Sequence, residues 1–163
     1  DLVSQKNINL FQKYNVLSEV EVRSRYHIRI ERYCKKLDIE AMTLYKLVKG
    51  HVIPASVLYQ KELAQSIQNV QAALGGDCDL EAQKGLLKKI SQWITSLIKS
   101  IEKVNEMREQ ALTIEDEQKQ AEYFCNEIKP EMEKSREICD KLEELVCDEL
   151  WSLPKFWEML FLS

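Results

Sequence analysis

LSEVEVRSRYHIRIERYCKKLDIEAMTLYKLVKGHVIPASVLYQKELA, residues Leu17–Ala64, decides the fold. Ser18 followed by Glu21 is a capping-box pattern, in which each side chain satisfies a backbone N–H that the first helical turn leaves unpaired. Val20, Tyr26, Ile28, Ile30, Tyr33 and Leu37 supply the apolar positions of a first helix. Asp38 then stands where a second N-cap is wanted, just before Ile39-Glu40-Ala41. From there Ala41, Leu44, Val48, Val52, Ala55 and Tyr59 recur mostly at helical spacing, one stripe of a helix. Pro54 lies inside that stripe. It removes one i→i−4 hydrogen bond, so a kink or break is expected there. The stretch 17–74 is therefore read as two helices, Leu17–Lys36 and Ile39–Leu74, with a kink near Pro54.

Outward from it, Asp1–Tyr14 carries Val3, Ile8, Leu10 and Phe11 among polar residues and reads, with the next two residues, as a lead-in strap or short helix over 1–16. Gly75-Gly76-Asp77 closes the second helix, because glycine accepts the left-handed conformation of a C-cap. Asp77 or Asp79 can cap the third, from Leu80 to about Leu112. Its seam is Leu86, Ile90, Trp93, Leu97, Ile101, Val104, Met107 and Ala111, a coiled-coil-like pattern. Leu87, Ile94 and Ile98 widen the seam in the first half only, so the second half is expected to project as a two-helix hairpin.

Thr113-Ile-Glu-Asp116 makes a tight turn with a second capping-box-like pattern. A fourth helix is expected from Ile114 or Glu115 to about Trp151, with a seam of Ala121, Phe124, Ile128, Met132, Ile138, Leu142, Leu145 and Leu150 and a bend at Pro130. Two long seams joined by a tight turn pack antiparallel, which makes 79–151 a helical hairpin. In the tail, 152–163, Pro154 suits the first turn of a short helix. The fold class is all-α: kinked helices, a long antiparallel hairpin and a short C-terminal tail helix, in one helical domain over 1–163.

Composition narrows function by exclusion. The chain has 163 residues, 45% hydrophobic and 31% charged, enough for one real core. Only 4 Gly and 3 Pro punctuate it, which favours long helices over many turns. A net charge of −4 offers no basic footprint for nucleic acid. No apolar run approaches the ~20 residues of a membrane span. The five cysteines, Cys34, Cys78, Cys125, Cys139 and Cys147, form no C-x-x-C pair; free thiols in a reducing cytoplasm are expected. A start at Asp1 without Met or a leader pattern reads as a fragment.

No phosphate loop, nucleophile–base pair or paired-carboxylate motif stands out, so no catalytic, cofactor-binding or metal residue is assigned. His27 has no ligand partner at helical spacing and reads as structural. His51, in the kink region, is expected to bond freed backbone carbonyls. The acids of 115–117 and 131–144 alternate with Lys119, Lys129, Lys134 and Lys141, a solvated face. Arg25 has Glu21 within reach on the same helix. Trp151, Phe156, Trp157 and Phe161 crowd the tail, too much aromatic surface to leave in water, since each buries on the order of 150–250 Å². The tail either packs on these helices or docks elsewhere, and an exposed patch would be sticky. With Leu160 and Arg25 these are the candidate interface residues.

Asn15-Val16-Leu17-Ser18, Ser24-Arg25-Tyr26, Ile39-Glu40-Ala41 with Thr43, Ile53-Pro54-Ala55, Tyr59 and Leu63-Ala64 resemble the C-terminal part of type III glutamine synthetases. Leu86-Leu87-Lys88-Lys89-Ile90-Ser91, Tyr123 and Pro130 continue the resemblance, and Trp151, Pro154 and Leu160-Phe161 echo the family's closing pattern. Lys155-Phe156-Trp157 departs from the threonine–tyrosine–glycine of the family. The resemblance implies that the catalytic residues lie upstream, in a β-grasp and barrel region outside this chain, and that residues 1–14 lead out of that barrel. It implies a parent that ligates ammonia to glutamate with ATP and Mg²⁺ or Mn²⁺, assembled as stacked hexameric rings. Arg25, in the Ser-Arg-Tyr pattern, either pairs with the barrel or belongs to a solvated face, and the implied partners are the catalytic domain of the same chain and neighbouring subunits. The alternative is a free-standing helical interaction module without catalytic activity.

Overall fold

The computed structural model describes residues 2–75 and 78–160, the side chain of Trp157 aside. Its elements, in order, are α1 (Gln5–Lys13), α2 (Glu19–Leu47), a π turn (Val48–Val52), α3 (Ile53–Leu74), α4 (Glu81–Ala111), α5 (Glu117–Tyr123), a second π turn (Phe124–Ile128), α6 (Lys129–Glu143) and α7 (Phe156–Met159). The described residues contain no strand, so the all-α reading holds. None of the described helices is long and apolar enough to cross a membrane.

α1 ends in a Schellman motif: Asn15 adopts φ 51°, Val16 N–H donates to Phe11 and Asn15 N–H to Gln12, which satisfies two of the last carbonyls. Ser18 then caps α2, with both halves of the box formed: Ser18 N–H donates to Glu21 (2.8 Å) and Glu21 N–H to the Ser18 hydroxyl (3.3 Å).

The expected break at Asp38 is absent. α2 runs through it and continues by the π turn into α3, one helical run of 56 residues. Cys34, Leu37, Ala41 and Val48 are all buried along that run. A second N-cap would have rotated them out of register with the core. Asp38 instead pairs with Arg108 of α4 at 2.6 Å. The ladder changes further on, where Ile53 N–H reaches back five residues to Val48. Pro54 follows at once, so the backbone has already departed from the α register that proline disrupts. Pro130 repeats this, with Lys129 N–H bonded to Phe124.

α4 is the centre of the bundle. Ile90, Leu97, Ile101, Val104 and Ala111 are fully buried and Ile94 nearly so; each such large aliphatic side chain contributes about 1.5–3 kcal/mol. Ser100–Ser135, Lys103–Glu131 and Gln110–Tyr123 contacts descend α6 and α5 as they ascend α4, so the expected antiparallel hairpin is present. Asp38–Arg108, Lys49–Glu102 and Gln60–Ser91 show that α2–α3 also lies antiparallel along α4. The second half of α4 therefore does not project, because α2 covers it.

The hairpin turn differs in detail from the sequence reading. Asp116 is itself the N-cap of α5, accepting from Gln118 (3.0 Å) and Lys119 (3.1 Å), while the Thr113 hydroxyl closes α4 by donating to the Gln110 carbonyl. Asp79 accepts from Glu81 N–H at 3.0 Å, but Leu80, not Asp79, holds the N-cap position of α4, and Gly75 ends α3 at φ 70°. Gly76, Asp77 and Phe161 lie outside the described residues. α6 stops at Glu143, eight residues before the expected end near Trp151. Val146 and Trp151 are both buried, and a continuous helix would not turn them onto the same core.

Candidate functional site

The tail is fastened by side chains that end backbone runs. Phe156 N–H donates to Glu143 Oε1 (2.6 Å), and Lys155 N–H donates to Glu158 Oε2 (3.0 Å). Lys155 Nζ donates to the Val146 carbonyl (2.7 Å) and pairs with Asp148 (2.6 Å), although Lys155 is only 8% exposed. A buried ammonium is retained only where such partners replace its water. His51, in the first π turn, bonds Ser152 Oγ through Nδ1 at 2.8 Å rather than a backbone carbonyl. So the first π turn and the tail are tied.

This fastening divides the aromatic tail. Trp151 is buried in the core. Phe156 and Leu160 are 63% and 66% exposed, with Met159 also exposed beside them. The side chain of Trp157 and all of Phe161 lie outside the described residues. Phe156 lines a concavity of about 560 Å³ with Arg136, Asp140, Glu143, Glu144 and Lys155. Arg25 stands on the far half of α2, exposed, in a second concavity of about 530 Å³ shared with Val20, Glu21, Ser24, Ile28, Arg29 and Arg32. Its expected partner Glu21 is engaged by Ser18: those hydrogen bonds, more than the Arg25 charge, hold the Glu21 carboxyl below its usual range. A third apolar set is exposed at the start of the chain, Leu10, Tyr14, Val16 and Val20.

Other polar groups join elements of the bundle or are shielded within it. His27 bonds Glu117 at 2.8 Å, joining α2 to α5. Burial, then Asp140 and Glu143, push the Cys139 thiol up to about 12, so it stays protonated and unreactive at neutral pH. The Tyr33 phenol is raised to about 12, first by its hydrogen bond to Cys125 and then by burial. All five cysteines are free. Among the described residues no group of three or more His, Cys, Asp or Glu is placed to hold a metal ion.

Sequence reasoning missed Lys155, His51–Ser152 and Asp38–Arg108. Only the first had a signal, its position between Pro154 and Phe156 in the most apolar segment. The other two join residues 101 and 70 positions apart, beyond any periodicity.

The molecule thus defines a class: an all-helical region whose described residues hold no metal-ligand cluster and whose two ends expose apolar and charged surface. Residues 1–71 match the family model described as the glutamine synthetase C-terminal domain. The type-3 glutamine synthetase of Dictyostelium discoideum is 33% identical over 162 residues, 98% of this chain and 22% of that protein. Glutamine synthetases of Butyrivibrio fibrisolvens (28%; 98% of this chain, 23% of theirs) and Bacteroides fragilis (28%; 90% and 20%) also match. The match to a glutamine synthetase C-terminal domain lies in residues 1–71, and the resemblance of nearly the whole chain to the C-terminal region of type III enzymes is borne out. The chain spans about a fifth of the length of these relatives.

Proposed function

We propose that this chain is a non-catalytic structural and subunit-contact region of a type III glutamine synthetase in the cytoplasm. The parent would ligate ammonia to glutamate at the expense of ATP, with Mg²⁺ or Mn²⁺ held by residues outside these 163. The carrying observation is the exposure of Phe156, Met159 and Leu160 on a tail whose backbone is nevertheless fastened to the bundle. Exposed apolar groups on a fixed support suit an interface, where ordering has already been completed before binding. The partners are the catalytic domain of the same protein and neighbouring subunits in a homo-oligomer.

The test removes everything after Leu74 from the full-length protein and measures assembly size by light scattering together with glutamine formation. A smaller assembly is expected. A full-size, active assembly would overturn the reading. Detection of a natural protein no larger than this chain would do so too, in favour of a free-standing interaction module.

A further inference from the structure

Arg25, Arg29 and Arg32 follow one another at spacings of four and three, on one face of α2. All three are exposed, and among the described residues none forms an ion pair within 4 Å. Their neighbours are different: Arg23 pairs with Glu19, Lys35 with Glu31 and Lys36 with Glu40. Exposed Val20 and Ile28 lie in the same concavity as the arginines, together with Glu21, whose carboxylate is taken up by Ser18. The chain therefore presents a basic, partly aliphatic face within an acidic protein of net charge −4.

The opposite chemistry lies on α6 and the turn after it. Glu137, Asp140 and Glu144 are spaced three and four apart, the same spacing read in reverse, and all are exposed without an ion pair among the described residues. Asp140 and Glu144 share their concavity with exposed Phe156 and with Arg136. Glu143 and Lys155 in that concavity are already engaged by Phe156 N–H and by Asp148 with Val146.

The geometry points to the Arg25–Arg29–Arg32 face of one copy docking on the Glu137–Asp140–Glu144 face of a second copy, with Phe156 against Val20 and Ile28. This rests on the subunit-contact reading and names its surfaces. Matched charge spacing sets register, and the apolar groups supply the contact that surface ion pairs alone do not. Two different faces of one chain make a heterologous contact, the kind that closes rings.

The test uses the full-length protein in sedimentation velocity at low and high salt. The triple variant R25E/R29E/R32E and the triple variant E137R/D140R/E144R are each expected to weaken assembly, on the order of a hundredfold, because like charges then face each other. Mixing the two is expected to restore association, since every facing pair is again opposite in sign. Unchanged assembly of either triple variant would overturn the pairing. So would weakening that mixing does not rescue, which would assign the arginines to another partner, such as the catalytic domain or a polyanion. Helicity by circular dichroism checks folding; if a reversal unfolds, R25Q/R29Q/R32Q replaces it, with roughly tenfold weakening expected. Should truncation after Leu74 break the assembly while the reversals do not, the pairing falls and the subunit-contact reading stands. If neither breaks it, both fall.

Discussion

Pro54 and Pro130 each stand at the second position after a single π turn, Val48–Val52 and Phe124–Ile128. In both, the residue before the proline bonds five residues back, and the first and last residues of the turn are buried. Their surroundings differ. After Pro54 come buried Ala55 and Ser56, whose hydroxyl donates to the Val52 carbonyl at 2.7 Å. After Pro130 comes Glu131, buried and held by Lys103 (3.0 Å), Lys134 (3.1 Å) and Ser100 (3.1 Å). The same backbone device is thus seated once on an apolar neighbourhood and once on a charged network. Local chemistry sets the turn, and the packed neighbour sets how it responds to mutation and pH.

The largest contrast is expected from the first buried side chain of each turn. Phe124→Ala should lose about 3–5 kcal/mol of stability by denaturant unfolding, since it removes a fully buried ring and leaves a cavity. Val48→Ala should lose about 2 kcal/mol. Equal losses would mean that the two turns share one packing environment.

Glu131→Gln should be next, at about 1–2 kcal/mol, through loss of charge-assisted hydrogen bonds. Burial pushes the Glu131 carboxyl up, but the hydrogen bonds from Lys103, Lys134 and Ser100 outweigh it and hold it below its usual range. A depressed folded value means stability that is present above the unfolded value and lost as pH falls through the folded one. Wild-type stability should therefore fall with pH below about 4.5, and Glu131→Gln should flatten that slope. No change in slope would remove the charged network from the comparison. The Pro54 turn offers no buried carboxylate, so Val48→Ala should leave the slope as it was.

Both breaks were half legible in the sequence. Each proline announced a disturbed ladder, and the stripes through Val48, Val52, Phe124 and Ile128 announced which side faced the core. What neither announced was a π turn instead of a bend, because the periodicity of the stripe shifts by only one residue. Asp38 was misread for a related reason: as a local cap it was reasonable, and only Arg108, on α4, shows its use. The capping box at Ser18 and the inner seam of α4 were legible because they depend on neighbours one or two turns away, although Ile98, read as widening that seam, is exposed. The tail was the least legible, since its course depends on Lys155, Glu143 and His51 meeting groups far along the chain.

Gly50 gives the smallest and most direct comparison. It occupies the middle of the first π turn, four residues before Pro54, where the second turn has Asn126. Helix-compatible glycine adds unfolded-state entropy without a structural return unless close approach requires it. Here a Cβ would meet nothing within 4 Å, and φ is not positive. Gly50→Ala should therefore stabilise the chain by about 0.5–1 kcal/mol, seen as a higher denaturant midpoint with an unchanged slope. A loss instead would show that the first turn uses the freedom of glycine to pass Pro54, and that the two breaks, alike in their hydrogen bonds, are held by different means.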